Sequence, residues 1–411
     1  MKKLLSVLLS CTMLLIILYP VSINAKTSNS PQKKDTGSAA DTKAADSQLE
    51  LSSPSAVLIE GSTGKVILEK NKDDRLRPAS ITKIMTLILI FEALESGQIK
   101  LTDEVSVSEY AASMGGSQVY LEPNETQNVE TMIKCISIAS ANDACVAMAE
   151  FIAGSEEEFV ARMNKKAKEL GMNNTNFVNC CGLDTDNHYS SAYDVALMSR
   201  ELIMKHPEIS KYSTVWMDNI THTTKKGKTE FGLTNTNKLV RFYQGITGLK
   251  TGSTGLAKYC LSATAKRNNM DLIAVIMAAP ETKTRFMEAS KLLNYGFANY
   301  SIYTDDNKDT ELAPVKVVKG VLDTVKGKAG NQFSYLCTKG KSAADIRKEV
   351  VLYEEVPAPV AKGDKIGEII YYHDNDQIGK IDILASEEIE KAKYKDYFIK
   401  LLKRYFMTAK A

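Results

Sequence analysis

The decapeptide Arg77-Pro78-Ala79-Ser80-Ile81-Thr82-Lys83-Ile84-Met85-Thr86 stands where strand-like sequence gives way to a strongly apolar helical run, Ser80 to Glu95, closed by Gly97. Ser80 and Lys83 fall one turn apart on the same side of that helix. A serine hydroxyl is a weak nucleophile and needs an adjacent base. A lysine serves as one only where burial disfavours its charged form, and an apolar helix supplies that burial. A helix start also offers backbone N–H groups to an oxyanion. The spacing alone decides little, because Ser30 to Lys33 and Ser62 to Lys65 repeat it. One of these lies in a polar tract and the other in a turn, where no helix packs serine against lysine.

Working outward, Ala56-Val57-Leu58-Ile59, a turn at Gly61 to Gly64 and Val66-Ile67-Leu68 read as a strand hairpin. Downstream, helical stretches are expected over Val129 to Ile138 and from about Asp143. Capping boxes at Ser155-Glu156-Glu157-Glu158 and at Ser191 with Asp194 open two more. Beyond Gly245 the period changes to strands, Tyr259 to Ala265 and Leu272 to Met277, and Pro280 introduces a helix from about Glu281 to Leu293. Strands at both ends of a helical block imply one α/β unit whose sheet joins distant parts of the chain. From about Ile302 to Leu384, short alternating stretches such as Val315-Lys316-Val317-Val318 and Val350-Val351-Leu352-Tyr353 predict a smaller β domain.

Two further constellations carry chemistry. Ser140-Ala141-Asn142 falls between two helical stretches, so a short loop projects a hydroxyl that can relay a proton and an amide that can bind a carbonyl. A helix cap would use the same residues. Lys250-Thr251-Gly252 precedes the late strand pair and occurs once. A lysine and a hydroxyl on a strand can bind a carboxylate, and glycine permits close backbone approach; a surface lysine beside a turn is the plainer alternative.

Order, setting and wide separation make the three sets one pattern. It resembles the penicillin-binding and serine β-lactamase superfamily, with its Ser-x-x-Lys, Ser-x-Asn and Lys-Thr-Gly elements. It is most similar to the low-molecular-weight D-alanyl-D-alanine carboxypeptidases, on Arg77 to Thr86, Ser140-Ala141-Asn142-Asp143-Ala144, Asn235-Thr236-Asn237-Lys238-Leu239 and Gly248-Leu249-Lys250-Thr251-Gly252. The likeness runs from about Ser55 to Tyr295 and more loosely beyond. It implies an α/β (α+β) fold: a β-lactamase/transpeptidase-like domain with an antiparallel sheet and a helical subdomain, then a small all-β domain and a C-terminal amphipathic helix. It also implies Ser80 as acylated nucleophile, Lys83 as base, Ser140 as proton relay and Asn142 as holder of the substrate amide. Lys250, Thr251 and Gly252 would form the carboxylate site, Ser253 and Ser80 the oxyanion hole through their N–H groups, and Arg285 a support for that site. Peptidoglycan stem peptides and β-lactams would be the ligands, with neither metal nor organic cofactor. Ser253 stands where relatives often carry His or Tyr, and Lys258 where Gly is frequent. The competing functions are a β-lactamase, for which no clear water-activating glutamate segment lies between Ser140 and Lys250, and a catalytically silent peptidoglycan-binding module.

The remaining sequence places this unit outside a cell. Lys2 and Lys3, an apolar run from Leu4 to about Val21 and the small residue Ala25 predict an export signal over 1–25, with an uncleaved anchor helix as the alternative. Residues 26–50 are expected to be a disordered tether, followed by a catalytic domain over 51–300, a β domain over 301–385 and a terminal helix over 386–411. In that helix Tyr394, Phe398, Leu401, Leu402 and Tyr405 share a face opposite Lys393, Lys400, Lys403 and Lys410. Such a helix can lie in a membrane interface or pack on the β domain; the basic surplus and terminal position favour the outer leaflet of the cytoplasmic membrane. The net charge of +2 implies no field for nucleic acid. The six cysteines beyond the signal, Cys135, Cys145, Cys180, Cys181, Cys260 and Cys337, lie mostly in apolar stretches and are expected as free buried thiols, and no His or Cys cluster has metal-ligand spacing.

Overall fold

The computed structural model describes residues 49–408 apart from 226 and 340–342. The expected export signal and residues 26–48 of the expected tether lie outside the described residues. The hairpin forms from β1 (Ser55–Glu60) and β2 (Val66–Lys70). The Ser80 segment is a 3₁₀ turn, Ala79–Thr82, and the α-helix α1 begins only at Lys83, running to Glu95. The tighter turn arises because Ala79 takes a left-handed backbone, φ +49°, immediately before Ser80.

The longer helices that follow are α2 (Val129–Lys134), α3 (Asn142–Ala153), α4 (Glu156–Glu169) and α5 (Ala192–Lys205). The stretch expected as one helix to Ile138 widens into a π-type turn over Cys135–Ala139 and stops at Ser140, whose φ of +63° cannot continue a helix. Ser155 and Ser191 cap as the sequence predicts: their hydroxyls accept from the N–H groups of Glu158 and Asp194 at 3.2 and 3.1 Å. A hairpin that the sequence did not disclose follows, β3 (Met217–Thr224) and β4 (Gly227–Thr234).

The late strands β5 (Ile246–Thr254), β6 (Lys258–Arg267) and β7 (Met270–Ala279) join the first hairpin in one antiparallel sheet of order β2-β1-β7-β6-β5. Val57 pairs with Val275 and Lys250 with Ser262. Side chains alternate across this sheet. Val57, Ile59, Ile273 and Val275 face the helical block, while Ala56, Leu58, Leu272 and Ile276 face α6 (Thr282–Asn299) with Leu292 and Leu293. Two covered faces explain the unbroken apolar runs of β1 and β7. Helix α6 outlasts its expected end at Leu293 because Tyr295 and Phe297 extend its apolar contacts.

Among its described residues the following segment is all β, apart from one short 3₁₀ turn. It includes β8 (Tyr300–Asp305), β9 (Gly327–Ala329), β10 (Phe333–Thr338), β11 (Ile346–Leu352), β12 (Lys365–His373) and β13 (Asp376–Ala385). β8 pairs with β10, and the other four form a sheet of order β9-β13-β12-β11. Its separate core centres on Phe333 stacked on Tyr371, centroids 3.8 Å apart, among Ile366, Ile369 and Ile383. The terminal helix α7 spans Tyr394–Thr408 and leaves Tyr394, Phe398, Leu401 and Tyr405 exposed. Its Lys400 bonds the Gly320 carbonyl at 2.9 Å and contacts Asp323 on the β domain. Among the described residues no helix is long and apolar enough to cross a membrane.

Candidate active site

Four remote segments meet at one edge of the sheet. Ser80 is half-buried on its 3₁₀ turn, and Lys83, fully buried, directs Nζ at three oxygens: Ser80 Oγ at 3.2 Å, Asn142 Oδ1 at 2.6 Å and the Cys181 carbonyl at 2.8 Å. The helical register that sets Ser80 over Lys83 thus holds across the change from 3₁₀ to α.

Ser140 occupies the corner between the π-type turn and α3. Its left-handed backbone costs roughly 1–2 kcal/mol for a non-glycine residue, and strain of this kind gathers at functional sites. The hydroxyl accepts from Lys250 Nζ at 2.8 Å. Asn142, next to it, is spent on the scaffold as well as on Lys83, since its Nδ2 donates to the Gly115 carbonyl at 2.6 Å. This carboxamide holds Lys83 in place, a use the sequence did not reveal. The neighbouring Asp143 is buried and accepts from the N–H groups of Val119 and Leu121 at 3.1 Å, fastening the loop that covers this corner.

Strand β5 carries the third set. Lys250 is buried and also donates to the Thr251 carbonyl at 3.1 Å. Burial holds its ammonium well below the usual lysine range, and the positive charges of Lys83 and Arg285 push the same way. Thr251 Oγ1 donates to Thr236 Oγ1 at 2.6 Å. The Asn235–Leu239 segment is therefore a clamp: Thr236 N–H donates to the Ile138 carbonyl at 3.2 Å, and Asn237 Nδ2 to that of Gly248 at 3.0 Å. Gly252 is required by close approach, because a Cβ there would meet the Pro78 carbonyl at 2.7 Å and Ser80 N at 3.0 Å. This sets β5 flush against the serine turn. Ser253 is exposed at the mouth of the site. Lys258 adopts φ +57° at the turn into β6, a left-handed backbone that glycine takes without cost.

Arg285, a helix residue with a surface alternative, is buried. Its Nη1 donates to the carbonyls of Gly252 at 2.9 Å and Cys260 at 3.2 Å, bracing β5 from behind. Two supports escaped the sequence. His188 accepts from Val178 N–H through Nδ1 at 3.1 Å, so its Nε2 donates to Thr82 Oγ1 at 2.9 Å. Burial, aided by the Arg77 charge, pushes its pKa down to about 4, so it stays neutral beneath the serine turn. The turn after Asn179 supplies the Cys181 carbonyl, and a side chain at Gly182 (φ +87°) would collide with the Ala79 carbonyl. Neither has a motif; both are placed only by the tertiary fold. All six described cysteines are free and buried, as expected.

The family model described as D-alanyl-D-alanine carboxypeptidase matches residues 41–281, and that of the penicillin-binding protein 5 C-terminal domain matches residues 301–391. A D-alanyl-D-alanine carboxypeptidase of Bacillus subtilis is 47% identical over 87% of this chain and 90% of its own length. One from Escherichia coli is 33% identical over 87% of this chain and 88% of its own. Among solved structures, penicillin binding protein 5 from Haemophilus influenzae superposes with a TM-score of 0.70 at 33% identity, covering 83% of this chain and 98% of that one. The chain belongs to the D-alanyl-D-alanine carboxypeptidase family.

Proposed function

We propose that this protein is a serine-type D-alanyl-D-alanine carboxypeptidase that removes the terminal D-alanine from peptidoglycan stem pentapeptides, and that penicillins acylate the same serine. The observation that carries this reading is the paired geometry, Lys83 Nζ 3.2 Å from Ser80 Oγ and Lys250 Nζ 2.8 Å from Ser140 Oγ, in one cleft.

Ser80 Oγ attacks the carbonyl carbon of the D-Ala–D-Ala bond while Lys83 Nζ takes its proton as the base. The oxyanion is held by the backbone N–H groups of Ser80 and Ser253, each such donor being worth about 10²–10³ in rate. The substrate carboxylate binds at Lys250 and Thr251, with Gly252 giving room and Arg285 fixing the strand. That carboxylate favours the protonated form of Lys250 that burial disfavours. Collapse breaks the C–N bond, and the departing amine takes a proton through Ser140, resupplied by Lys250. In deacylation, water attacks the ester and its proton returns through Ser140 to Lys250. Lys83 gives its proton back to Ser80 Oγ, so both lysines end as they began.

The exposed apolar face of α7, with Lys393 and Lys400 beside it, supports interfacial attachment to the outer membrane leaflet after export. Removing Tyr394 to Ala411 is expected to abolish co-sedimentation with anionic liposomes; equal sedimentation of both forms would refute it. The activity is tested by D-alanine release from a muramyl pentapeptide. The expected result is turnover by the wild type and a fall of at least about 10³ in Ser80→Ala. No release by the wild type, or release that survives the substitution, would overturn the assignment.

A further inference from the structure

Directly behind Lys83 the fold gathers three thiols that the proposed reaction does not use. Cys145 comes from α3, one turn beyond Asn142, while Cys180 and Cys181 come from the turn whose carbonyls accept from Thr86 at 2.7 Å and Lys83 at 2.8 Å. The three Sγ atoms all lie within 4.8 Å of one another, and Cys180 and Cys181 are 3.6 Å apart. All three are buried, and no disulfide joins them. Among the described residues this is the one cluster of three Cys, His, Asp or Glu side chains whose donor atoms converge so closely. Linear spacing hid it, because 35 residues separate Cys145 from Cys180.

A zinc–thiolate bond of about 2.3 Å sets the sulfurs of a trigonal site about 4 Å apart, within the spread already present. Soft thiolate donors select thiophilic cations over Mg²⁺ or Ca²⁺. Two of the thiols are held by backbone carbonyls: Cys145 donates to Cys180 O at 3.1 Å and Cys181 to Asn142 O at 3.5 Å. A cation that replaces the thiol protons would break both contacts. One of those carbonyls belongs to Asn142 and the other adjoins Cys181, the two residues that hold Lys83 Nζ.

We propose that Cys145, Cys180 and Cys181 form a binding site for one thiophilic divalent cation of the Zn²⁺ class, and that filling it shuts down the Ser80 centre. Binding forms three metal–sulfur bonds and releases the three thiol protons to solvent. The metal then draws Cys181 and Asn142 away from Lys83, so the base no longer faces Ser80. The site itself stands on the sulfur geometry; the inhibitory half rests on the proposed function.

The test titrates Cd²⁺ into the reduced full-length protein, following thiolate-to-cadmium ultraviolet absorption and native mass. The expected result is one cadmium per chain with loss of the displaced protons, reversed by excess Zn²⁺. Affinity should fall at least tenfold in Cys180→Ser and, separately, in Cys145→Ser. One equivalent of cadmium should slow acylation by a fluorescent penicillin at least tenfold in the wild type and leave Cys180→Ser unaffected. Absence of the absorption band, or a band unchanged in both serine variants, overturns the site. A normal band with undiminished acylation overturns the inhibition. Failure of the metal-free wild type to take up penicillin would count against the Ser80 reading and, with it, the inhibitory half, while the cadmium band still decides the site.

Discussion

The cationic side chains at the site of the catalytic unit and those on the surface of the β domain are held in opposite ways. At the site, Lys83, Lys250 and Arg285 are buried, and the hydrogen bonds described for them go to hydroxyls, a carboxamide and backbone carbonyls; Lys166 of the same unit, away from the site, pairs with Glu92 and Glu201. On the β domain, Lys316 meets Glu355 at 2.9 Å, and Lys365 meets Glu368 and Asp382 at 2.5 and 2.7 Å, all toward solvent. Exposed pairs of the second kind are worth little and are screened by salt. Buried cations without an anion cost stability. The difference shows where the molecule accepts instability, and under the proposed function the missing carboxylate is the one the substrate brings.

Lys250→Met should break the contrast most sharply. Carboxypeptidase activity is expected to fall by at least about 10³, while stability rises, because a buried amine whose protonation the fold suppresses gives way to an apolar chain of similar volume. The sign with pH follows from the lowered lysine. Between its depressed value and 10.5, the unfolded chain holds a proton that the folded chain does not, so wild-type stability grows as pH rises. The advantage of Lys250→Met in urea midpoints should therefore narrow as pH rises through that window toward 10.5, by up to about 1.4 kcal/mol per unit. A gap that widens contradicts the burial argument.

Gly252→Ala is expected to act through geometry and not charge. The added methyl meets Pro78 O and Ser80 N, so acylation should slow roughly 10–100-fold with a loss of about 1–3 kcal/mol. Wild-type acylation rates in this variant would show that β5 does not need to lie flush against the serine turn. The smallest effect belongs to Lys365→Met in the β domain. Its thermal midpoint should differ slightly from the wild type at low ionic strength and coincide with it near 1 M salt, where the screening length is about 3 Å. Acylation should be untouched, and a fall would mean that the two regions are coupled.

Legibility in the sequence followed the same divide. Elements with a local cause read directly. The alternating hairpin at Ala56 to Leu68, the caps at Ser155 and Ser191, and the apolar run after Ser80 each carry their own signal. Ser80, Lys83, Ser140, Asn142, Lys250 and Thr251 could be picked out because each sits in a short motif, and the fold brings them together. What stayed hidden depends on contacts between distant segments. The hairpin β3–β4 is polar on most of its surface, and only Ile220, His222 and Leu233 of its strands are buried, too few for an alternating signal. The π-type turn before Ser140 continues the apolar helical pattern and departs from it only through backbone geometry. His188 and the Cys145–Cys180–Cys181 group acquire their roles from packing, as does the hold of Asn142 on Lys83.

The most direct test of the central claim is to label the intact protein with penicillin, digest it and locate the adduct by mass spectrometry. The account predicts one acyl group per chain, on Ser80, lost in Ser80→Ala. An adduct on Ser140 or on any other residue, or labelling that persists in Ser80→Ala, would contradict it.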